Sequence, residues 1–210
     1  MIRSVAYQWA NYLCEYVFSM RLHGTITPDL PLLVVALEEE ASHLHTHGLP
    51  ILVTGGGKVN AAVATATILG SHSPSQVVNL GTAGALVDNL TGIHVIGTVT
   101  QHDLNDQALF DLTGLHFGLP ITLQDSGPVL TTGDQFISDE NTRQTLAQHA
   151  QLVDMEGYAI AKAAFAAQAP VMLVKQISDA ADNSALRSWR ETVDYCAEQL
   201  GAWVMQHLNG

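Results

Sequence analysis

Residues 32–40 read Leu-Leu-Val-Val-Ala-Leu-Glu-Glu-Glu, an apolar run that ends in three carboxylates. A strand with one face in water alternates apolar and polar side chains, whereas a strand buried on both faces is apolar throughout. The run therefore predicts a strand inside a sheet that is covered on both faces. Leu32 to Leu37 is also the densest apolar run of the chain, and it is far shorter than the roughly 20 residues that span a bilayer.

The rest of the chain repeats this pattern, because short β-branched runs alternate with Ala-rich runs of helical periodicity. An α/β fold follows, a three-layer α/β/α sandwich with a largely parallel or mixed central sheet. Ser138 is the expected N-cap of its helix. The predicted strands are Leu32–Leu37, Ile51–Thr54, Val77–Leu80, Val95–Thr100, Leu152–Asp154 and Val171–Ile177, and the predicted helices are Lys58–Leu69, Ser138–Ala150, Glu156–Ala167 and Leu186–Leu208.

Two segments fall outside this pattern. Apolar residues at spacings of three and four from Val5 to Met20 predict an amphipathic helix. We expect residues 1–30 to be a helical extension of a single domain that spans 1–210. Residues 101–127 hold Gly, Pro, Asp and Gln with little periodicity, which indicates a long loop or hairpin, and loops of that length are often functional.

The charge of the chain disfavours several classes of partner. With 8 Lys+Arg against 20 Asp+Glu the formal net charge is −12, so the surface repels nucleic-acid phosphates and anionic lipid. Apolar residues make up 47% of the chain and charged residues 13%, which is the reverse of a disordered composition. We expect a small-molecule partner, with no nucleic acid and no membrane.

The cysteines and the N-terminus indicate a cytoplasmic protein. Cys14 and Cys196 are too few for a disulfide framework and lack the spacing of metal ligands. The N-terminus shows no apolar run behind a basic start, as a signal peptide would require.

Carboxylates and glycines follow the predicted strands. In open α/β sheets, ligands bind outside the carboxyl ends of the strands. If the strands are parallel, these residues gather at one edge and form the predicted site. The segments in question are Glu38-Glu39-Glu40, Gly55-Gly56-Gly57-Lys58, Gly81-Thr82-Ala83-Gly84, Met155-Glu156-Gly157 and Ser178-Asp179-Ala180-Ala181-Asp182.

Each of these carboxylates also has a purely structural interpretation. Glu38 to Glu40 and Glu156 would complement the positive end of a helix dipole, an effect worth about 0.3–1 kcal/mol. Asp179 would form a turn where its strand ends. A structural role for all of them together is a weaker hypothesis than a shared site.

Two other motifs fit known sites poorly. In Gly55-Gly56-Gly57-Lys58 the third glycine of a dinucleotide fingerprint is replaced by Asn60, and no Ser or Thr follows Lys58 as in a P-loop. Close helix–strand packing accounts for these glycines. The His43-x-His45-x-His47 alternation would point its rings in different directions on a helix, which favours a polar surface. We expect no cofactor and no metal.

Six stretches, taken together and in order, resemble the purine nucleoside phosphorylase superfamily, and within it the 5′-methylthioadenosine/S-adenosylhomocysteine nucleosidases. The resemblance covers most of residues 32–208. The Asp-Met-Glu-Gly and Ile-Ser-Asp-x-x-Asp segments are its most specific parts. The stretches are Val35-Ala-Leu-Glu-Glu-Glu40, Thr54-Gly-Gly-Gly-Lys-Val59, Asn79-Leu-Gly-Thr-Ala-Gly84, Gly133-Asp-Gln-Phe-Ile137, Val153-Asp-Met-Glu-Gly-Tyr-Ala159 and Ile177-Ser-Asp-Ala-Ala-Asp182.

The resemblance implies cleavage of the N-glycosidic bond of a purine nucleoside, with Asp179 and Glu40 as catalytic residues. Asp179 would share a proton with purine N7 as the base leaves, and Glu40 would deprotonate the attacking water. Cleavage builds positive charge on the ribose and negative charge on the purine, so one carboxyl must be protonated while another is ionised. An Asp with a reference pKa of ~3.9 needs a raised pKa for this. Burial and the charges of Glu40, Glu156 and Asp182 act in that direction.

The same resemblance implies the contacts with base and sugar. Glu156 would bind the ribose hydroxyls, and Met155 would pack against the sugar. Phe136 would stack on the purine, and Ile137 would present backbone groups to its edge.

Further positions follow from the family pattern. Ser178 would position Asp179, and Thr82 would lie near the water and the ribose oxygen. Lys175 stands where the family usually carries Arg, and Lys keeps the charge but loses the planar fork.

The resemblance leaves open which substituent the substrate carries at the ribose 5′ position. Gly56 stands where the nucleosidases usually carry an aliphatic residue, and Trp189 where they carry an aromatic one. Methylthioadenosine is the first choice, S-adenosylhomocysteine the second, and another modified nucleoside such as futalosine the third. The family forms homodimers, and residues 101–118, which include His102 and Asp103, would be the partner loop near this pocket.

Water is favoured over phosphate as the nucleophile. A phosphorylase holds a phosphate dianion, ordinarily with arginines at its glycine-rich turns, and Asn79 stands where the phosphorylases of the family tend to carry Arg. A purine nucleoside phosphorylase stays open as an alternative. A non-catalytic nucleoside-binding protein is a further one, although it would not need both an acid and a base.

Overall fold

The computed structural model describes residues 20–208, and every structural statement below concerns this part of the chain. Ten strands and six α-helices lie within it. The strands are β1 (Arg21–His23), β2 (Leu32–Val35), β3 (Ile51–Val53), β4 (Val77–Ala85), β5 (Ile93–Val95), β6 (Thr98–Gln101), β7 (Ile121–Thr122), β8 (Val129–Thr132), β9 (Leu152–Asp154) and β10 (Val171–Asp179). The helices are α1 (Glu38–Ala41), α2 (Lys58–Leu69), α3 (Asp106–Thr113), α4 (Glu140–Leu146), α5 (Gly157–Ala166) and α6 (Ala185–His207), with a 3-10 turn at His45–His47.

All ten strands belong to one mixed sheet, whose main path is β1-β3-β2-β4-β9-β8-β6-β7. The long strand β4 organises it, because it is parallel to β2 and β10, while its last two residues pair antiparallel with β9. β10 also pairs antiparallel with β5. The predicted α/β class with a mixed sheet is confirmed.

Helices cover both faces of this sheet, as the apolar strand at residues 32–35 predicts. Leu33 and Val35 point into a core shared with the buried residues of α6. Leu32 and Val34 point the opposite way, into a core shared with α2 and α5. Successive side chains of a strand alternate between faces, so a strand buried in both cores has no polar position. The three-layer α/β/α arrangement is therefore confirmed.

Two predicted elements have different bounds in the structure, and local contacts explain why. The predicted strand Val95–Thr100 is two strands, because the backbone at Gly97 approaches Gly127 so closely that a Cβ there would lie 2.7 Å from the Gly127 carbonyl oxygen. The helix predicted from Ser138 begins at Glu140, and its N-cap is Asp139, whose carboxylate accepts a hydrogen bond from the Thr142 N–H at 2.9 Å. The prediction of Ser138 as N-cap was wrong.

The two segments outside the sequence pattern hold more structure than expected. Residues 101–127, predicted as a loop or hairpin, contain α3 and β7. Strand β8 was missed, because its alternation of Val, Leu and Thr is short and directly follows a Gly-Pro pair. Of the predicted N-terminal helix, residues 5–19 lie outside the described residues. Within the predicted helical extension, Arg21–His23 instead form an edge strand antiparallel to β3.

Within residues 20–208, no helix combines the length and the apolar character that crossing a membrane requires.

Candidate active site

A cavity of about 240 Å³ opens beside the second half of β4. Nine of the ten site residues predicted from the sequence line it, and Lys175 is the exception. The predicted convergence of carboxylates is therefore found, although β9 runs antiparallel to β4 rather than parallel. The lining residues are Ala36, Leu37, Glu40, Gly56, Thr82, Ala83, Gly84, Gln135, Phe136, Ile137, Val153, Asp154, Met155, Glu156, Ser178, Asp179, Leu186 and Trp189.

Glu40 is held by four hydrogen bonds at one end of the cavity. Its Oε2 accepts from the backbone N–H groups of Ala36 (3.1 Å) and Leu37 (3.3 Å). Its Oε1 accepts from the backbone N–H (2.9 Å) and the hydroxyl (3.2 Å) of Thr82. The side chain is only 5% exposed. Four donors, two on each oxygen, fix the orientation of this carboxyl group.

Trp189 extends this network from α6. Its indole N–H donates to the Thr82 hydroxyl oxygen at 3.0 Å, and that hydroxyl in turn donates to Glu40. The long helix α6 thereby contacts the carboxylate on α1 through a single hydroxyl group. An aromatic residue without an N–H group could line the cavity at this position but could not make this bond.

Asp179, the last residue of β10, is fixed by its neighbours. The Ser178 hydroxyl donates to its Oδ2 at 2.7 Å, and the backbone N–H of Ala181 donates to its Oδ1 at 2.8 Å. Burial raises the pKa of Asp179 above its usual value, and the charge of Asp182 acts in the same direction. Asp182 itself lies outside the cavity lining and accepts two hydrogen bonds from Ser184.

Glu156 occupies the N-cap position of α5, yet it makes no side-chain cap hydrogen bond there. Its Oε1 instead accepts from the backbone N–H of Gly57, the N-cap residue of α2, at 2.7 Å. Burial, followed by the charge of Asp154, raises the pKa of Glu156 to about 8. The carboxyl therefore points across the cavity at the glycine loop and holds a proton near neutral pH.

Lys175 lies beneath the cavity and does not line it. The residue is 1% exposed, and its Nζ is 2.8 Å from Asp154 Oδ2. Burial by itself would lower the pKa of this lysine, but the carboxyl groups of Asp154, Glu156 and Glu40 raise it above the usual value. The ammonium group is thus a buried cation below three carboxyls.

Asp154 also lines the cavity, although it was not among the site residues predicted from the sequence. Its Oδ1 accepts from the Thr132 hydroxyl at 2.6 Å, and its Oδ2 accepts from the backbone N–H of Gly157 at 2.8 Å as well as from Lys175. The available signal was its place at the end of a strand and the start of the Asp-Met-Glu-Gly segment.

Glycines give the carboxyl groups their space. A Cβ at Gly81 would lie 3.1 Å from Glu40 Oε1 and 3.4 Å from Lys175 Nζ, and one at Gly84 would lie 3.0 Å from Asp179 Oδ1. Gly55 and Gly57 have φ of +82° and +87°, a region that non-glycine residues rarely adopt. Backbone conformation, beyond the predicted close packing, therefore explains two glycines of that loop.

Lys58, which begins α2, is paired with a carboxylate. Its Nζ contacts the Asp103 carboxylate and the Gln101 side-chain oxygen, and its backbone N–H donates to Asp134 Oδ1 at 2.7 Å. Burial opposes the shift, but the hydrogen bonds from Lys58 and from the Asp134 backbone hold the pKa of Asp103 below its usual range. Lys58 and Lys175 thus both have carboxylate partners.

Known proteins resemble this chain in sequence. Residues 118–206 match the model of the family described as the phosphorylase superfamily. A 5′-methylthioadenosine/S-adenosylhomocysteine nucleosidase of Haemophilus ducreyi is 29% identical, in a match that covers 76% of this chain and 79% of that protein. The resemblance to this superfamily is confirmed.

Solved structures share the fold. A mutant of the Helicobacter pylori nucleosidase MTAN, solved with 5′-methylthioadenosine in its active site, superposes with a TM-score of 0.76 at 20% identity over 86% of this chain and 98% of that one. A futalosine hydrolase mutant of Helicobacter pylori superposes with a TM-score of 0.75 at 19% identity over 84% of this chain and 97% of that one.

The raised pKa of Glu156 predicts how stability depends on pH. The carboxyl is protonated in folded and unfolded chains alike below its usual pKa of 4.5, whereas between 4.5 and about 8 only the unfolded chain ionises. The folded state therefore loses stability as the pH rises through this window. Glu156→Gln cannot ionise, so we expect it to gain roughly 1–3 kcal/mol over the wild type between pH 5 and pH 8.5.

Urea unfolding at several pH values measures this difference, and Glu191→Gln, which removes an exposed carboxylate on α6, is the matched control. A wild type and a Glu156→Gln variant whose stabilities stay parallel from pH 5 to pH 8.5 would show that Glu156 has an ordinary pKa.

Proposed function

We propose that this protein hydrolyses the N-glycosidic bond of a purine nucleoside and releases the free base. One observation carries the proposal: among the described residues, four carboxyl groups and no Lys or Arg side chain line the cavity. These groups are Glu40, Asp154, Glu156 and Asp179. Two of them have raised pKa values, so the cavity provides both the acid and the base that the reaction needs.

Asp179 is the proposed acid. The departing purine gains negative charge, and a protonated carboxyl next to it neutralises that charge. Burial favours the protonated form of Asp179, and its hydrogen bonds with Ser178 and Ala181 hold it in one orientation.

Glu40 is the proposed base. Its four hydrogen-bond donors all belong to Ala36, Leu37 and Thr82, and Glu40 also lines the cavity. A water between Glu40 and the anomeric carbon would lose its proton to this carboxylate as it attacks. Separate carboxyls for the leaving group and for the water correspond to the division of labour in glycoside hydrolysis.

The other lining residues form two walls suited to a nucleoside. Glu156 and Met155 line the side proposed for the ribose, where Glu156 would bind the hydroxyl groups. Phe136 is 37% exposed and borders the cavity, so its ring is accessible for stacking on a base. Buried Ile137 follows it and would present its backbone to the base edge.

Water is the proposed nucleophile because no Lys or Arg among the described residues lines the cavity, where it could hold a phosphate dianion. Lys58 is paired with Asp103 and Lys175 with Asp154. A dianion would also lie beside Glu40, the proposed ionised base, and like charges close together repel. A purine nucleoside phosphorylase is therefore the weaker alternative. A protein that only binds nucleosides would not need Asp179 and Glu40 together.

The proposed substrate is 5′-methylthioadenosine, S-adenosylhomocysteine or both, and the proposed role is purine and methionine salvage. The nucleosidases among the relatives support this choice, and the futalosine hydrolase keeps futalosine as an alternative. Gly56, Leu186 and Trp189 line the cavity. Together these three residues would set the shape of the pocket for the 5′ group.

We propose that the protein is a cytoplasmic homodimer. Exposed apolar side chains support the dimer, because Leu112 is 81%, Leu115 61% and Leu119 55% exposed, and Val59 on α2 is 71% exposed. The buried thiol of Cys196 is free, which suits a reducing compartment. Light scattering should give twice the 22.5 kDa chain mass, and a monomer at micromolar concentration would overturn the dimer.

Base release from a nucleoside panel tests the function. We expect chromatography to show free adenine from methylthioadenosine or S-adenosylhomocysteine, at equal rates with and without phosphate. Asp179→Asn removes the acid and should lower the rate by at least about 100-fold. The surface variant Asp29→Asn is the control, with an unchanged rate expected. Base release that depends on phosphate would indicate a phosphorylase, and binding without release would indicate a binding protein.

A further inference from the structure

The histidines at positions 43 and 45 have different surroundings, although the sequence alternation suggests one polar surface. His43 pairs with Asp194 of α6, with its Nε2 3.1 Å from Asp194 Oδ1. His45 lies instead against His23 of the edge strand β1, with ring centroids 4.9 Å apart and an edge-to-face angle of 82°.

Glu38 completes a group with these two imidazoles. His23 Nε2 is 3.3 Å from Glu38 Oε1, and one ligand atom each from His23, Glu38 and His45 lie within 4.8 Å of one another. Bonds of about 2.0–2.2 Å at the tetrahedral angle place two zinc ligands about 3.3 Å apart. The His23–Glu38 pair already has this separation, and His45 is exposed, so a side-chain rotation can bring its nitrogen closer.

Three separate elements build this group. His23 ends β1 and pairs in register with Ile51 of β3, Glu38 begins α1, and His45 begins the 3-10 turn. Residues two apart on a strand share a face, which is why Arg21 and His23 both reach Glu38 Oε1, at 3.2 and 3.3 Å. In the unloaded protein Arg21 therefore supplies the positive charge that this carboxylate faces.

We propose that His23, Glu38 and His45 bind a divalent transition-metal ion, with zinc as the best match. Two imidazole nitrogens and one carboxylate are ligands that zinc accepts, with water in the fourth position. On binding, Glu38 exchanges Arg21 for the metal. The ion links β1 and the 3-10 turn to α1, two residues before Glu40, and it lies outside the cavity lining. The site is independent of the proposed hydrolysis.

Calorimetry with zinc chloride on metal-free, untagged protein at pH 7.5 tests this site. We expect one equivalent to bind and to raise the melting temperature. His23→Gln, Glu38→Gln and His45→Gln should each weaken binding by at least about tenfold. Arg21→Gln should bind zinc as tightly as the wild type or more tightly, because it removes the competitor for Glu38.

His72→Gln is the matched control, since it removes an exposed histidine elsewhere on the surface, and it should bind zinc like the wild type. Melting curves without zinc establish whether each variant is folded. One folded variant of His23, Glu38 or His45 is enough to test the site. A wild type that binds no zinc, or folded ligand variants that bind it as tightly as the wild type, would overturn the site.

Discussion

The buried ammonium of Lys175 is the constraint on which the rest of the site depends. It is fully surrounded by protein and lies 2.8 Å from Asp154, and three nearby carboxyls raise its pKa. A buried charge is tolerated only when it is paired and hydrogen-bonded. Lys175 therefore requires the carboxyl group of Asp154 as its partner, and hydrogen bonds from Thr132 and Gly157 fix Asp154 in turn.

One cation cannot neutralise every carboxyl above it. Among the carboxyl groups, Asp154 has the largest effect on the pKa of Lys175. Burial of Glu156 and the charge of Asp154 leave Glu156 protonated near neutral pH. Asp179, further along the cavity, also has a raised pKa because it is buried. Burial thus favours the protonated forms of Glu156 and Asp179, and no Lys or Arg among the described residues lines the cavity to bind phosphate. The chemistry that we propose follows from this surplus of carboxyls over cations.

The sequence predicted the layers and the glycine-carboxyl segments well, because apolar strands and strand-end motifs are local patterns. It did not predict which carboxyl pairs with which cation. Lys175 lies on β10 and Asp154 on β9, and these two strands are brought together by β4, which pairs with both. The helix α3 was not predicted, because none of its residues is buried and a helix is recognised in sequence mainly by its buried apolar face. The contact of His45 with His23 depends on an edge strand that lies in a segment expected to be helical.

Under the proposed hydrolysis the attacking water depends on Glu40, whose carboxylate accepts hydrogen bonds from Ala36, Leu37 and Thr82. The decisive measurement is base release from methylthioadenosine by Glu40→Gln, with calorimetric binding of the same nucleoside beside it. We expect binding close to that of the wild type and a rate lower by at least about 100-fold. A folded Glu40→Gln variant that releases adenine at the wild-type rate would contradict the account.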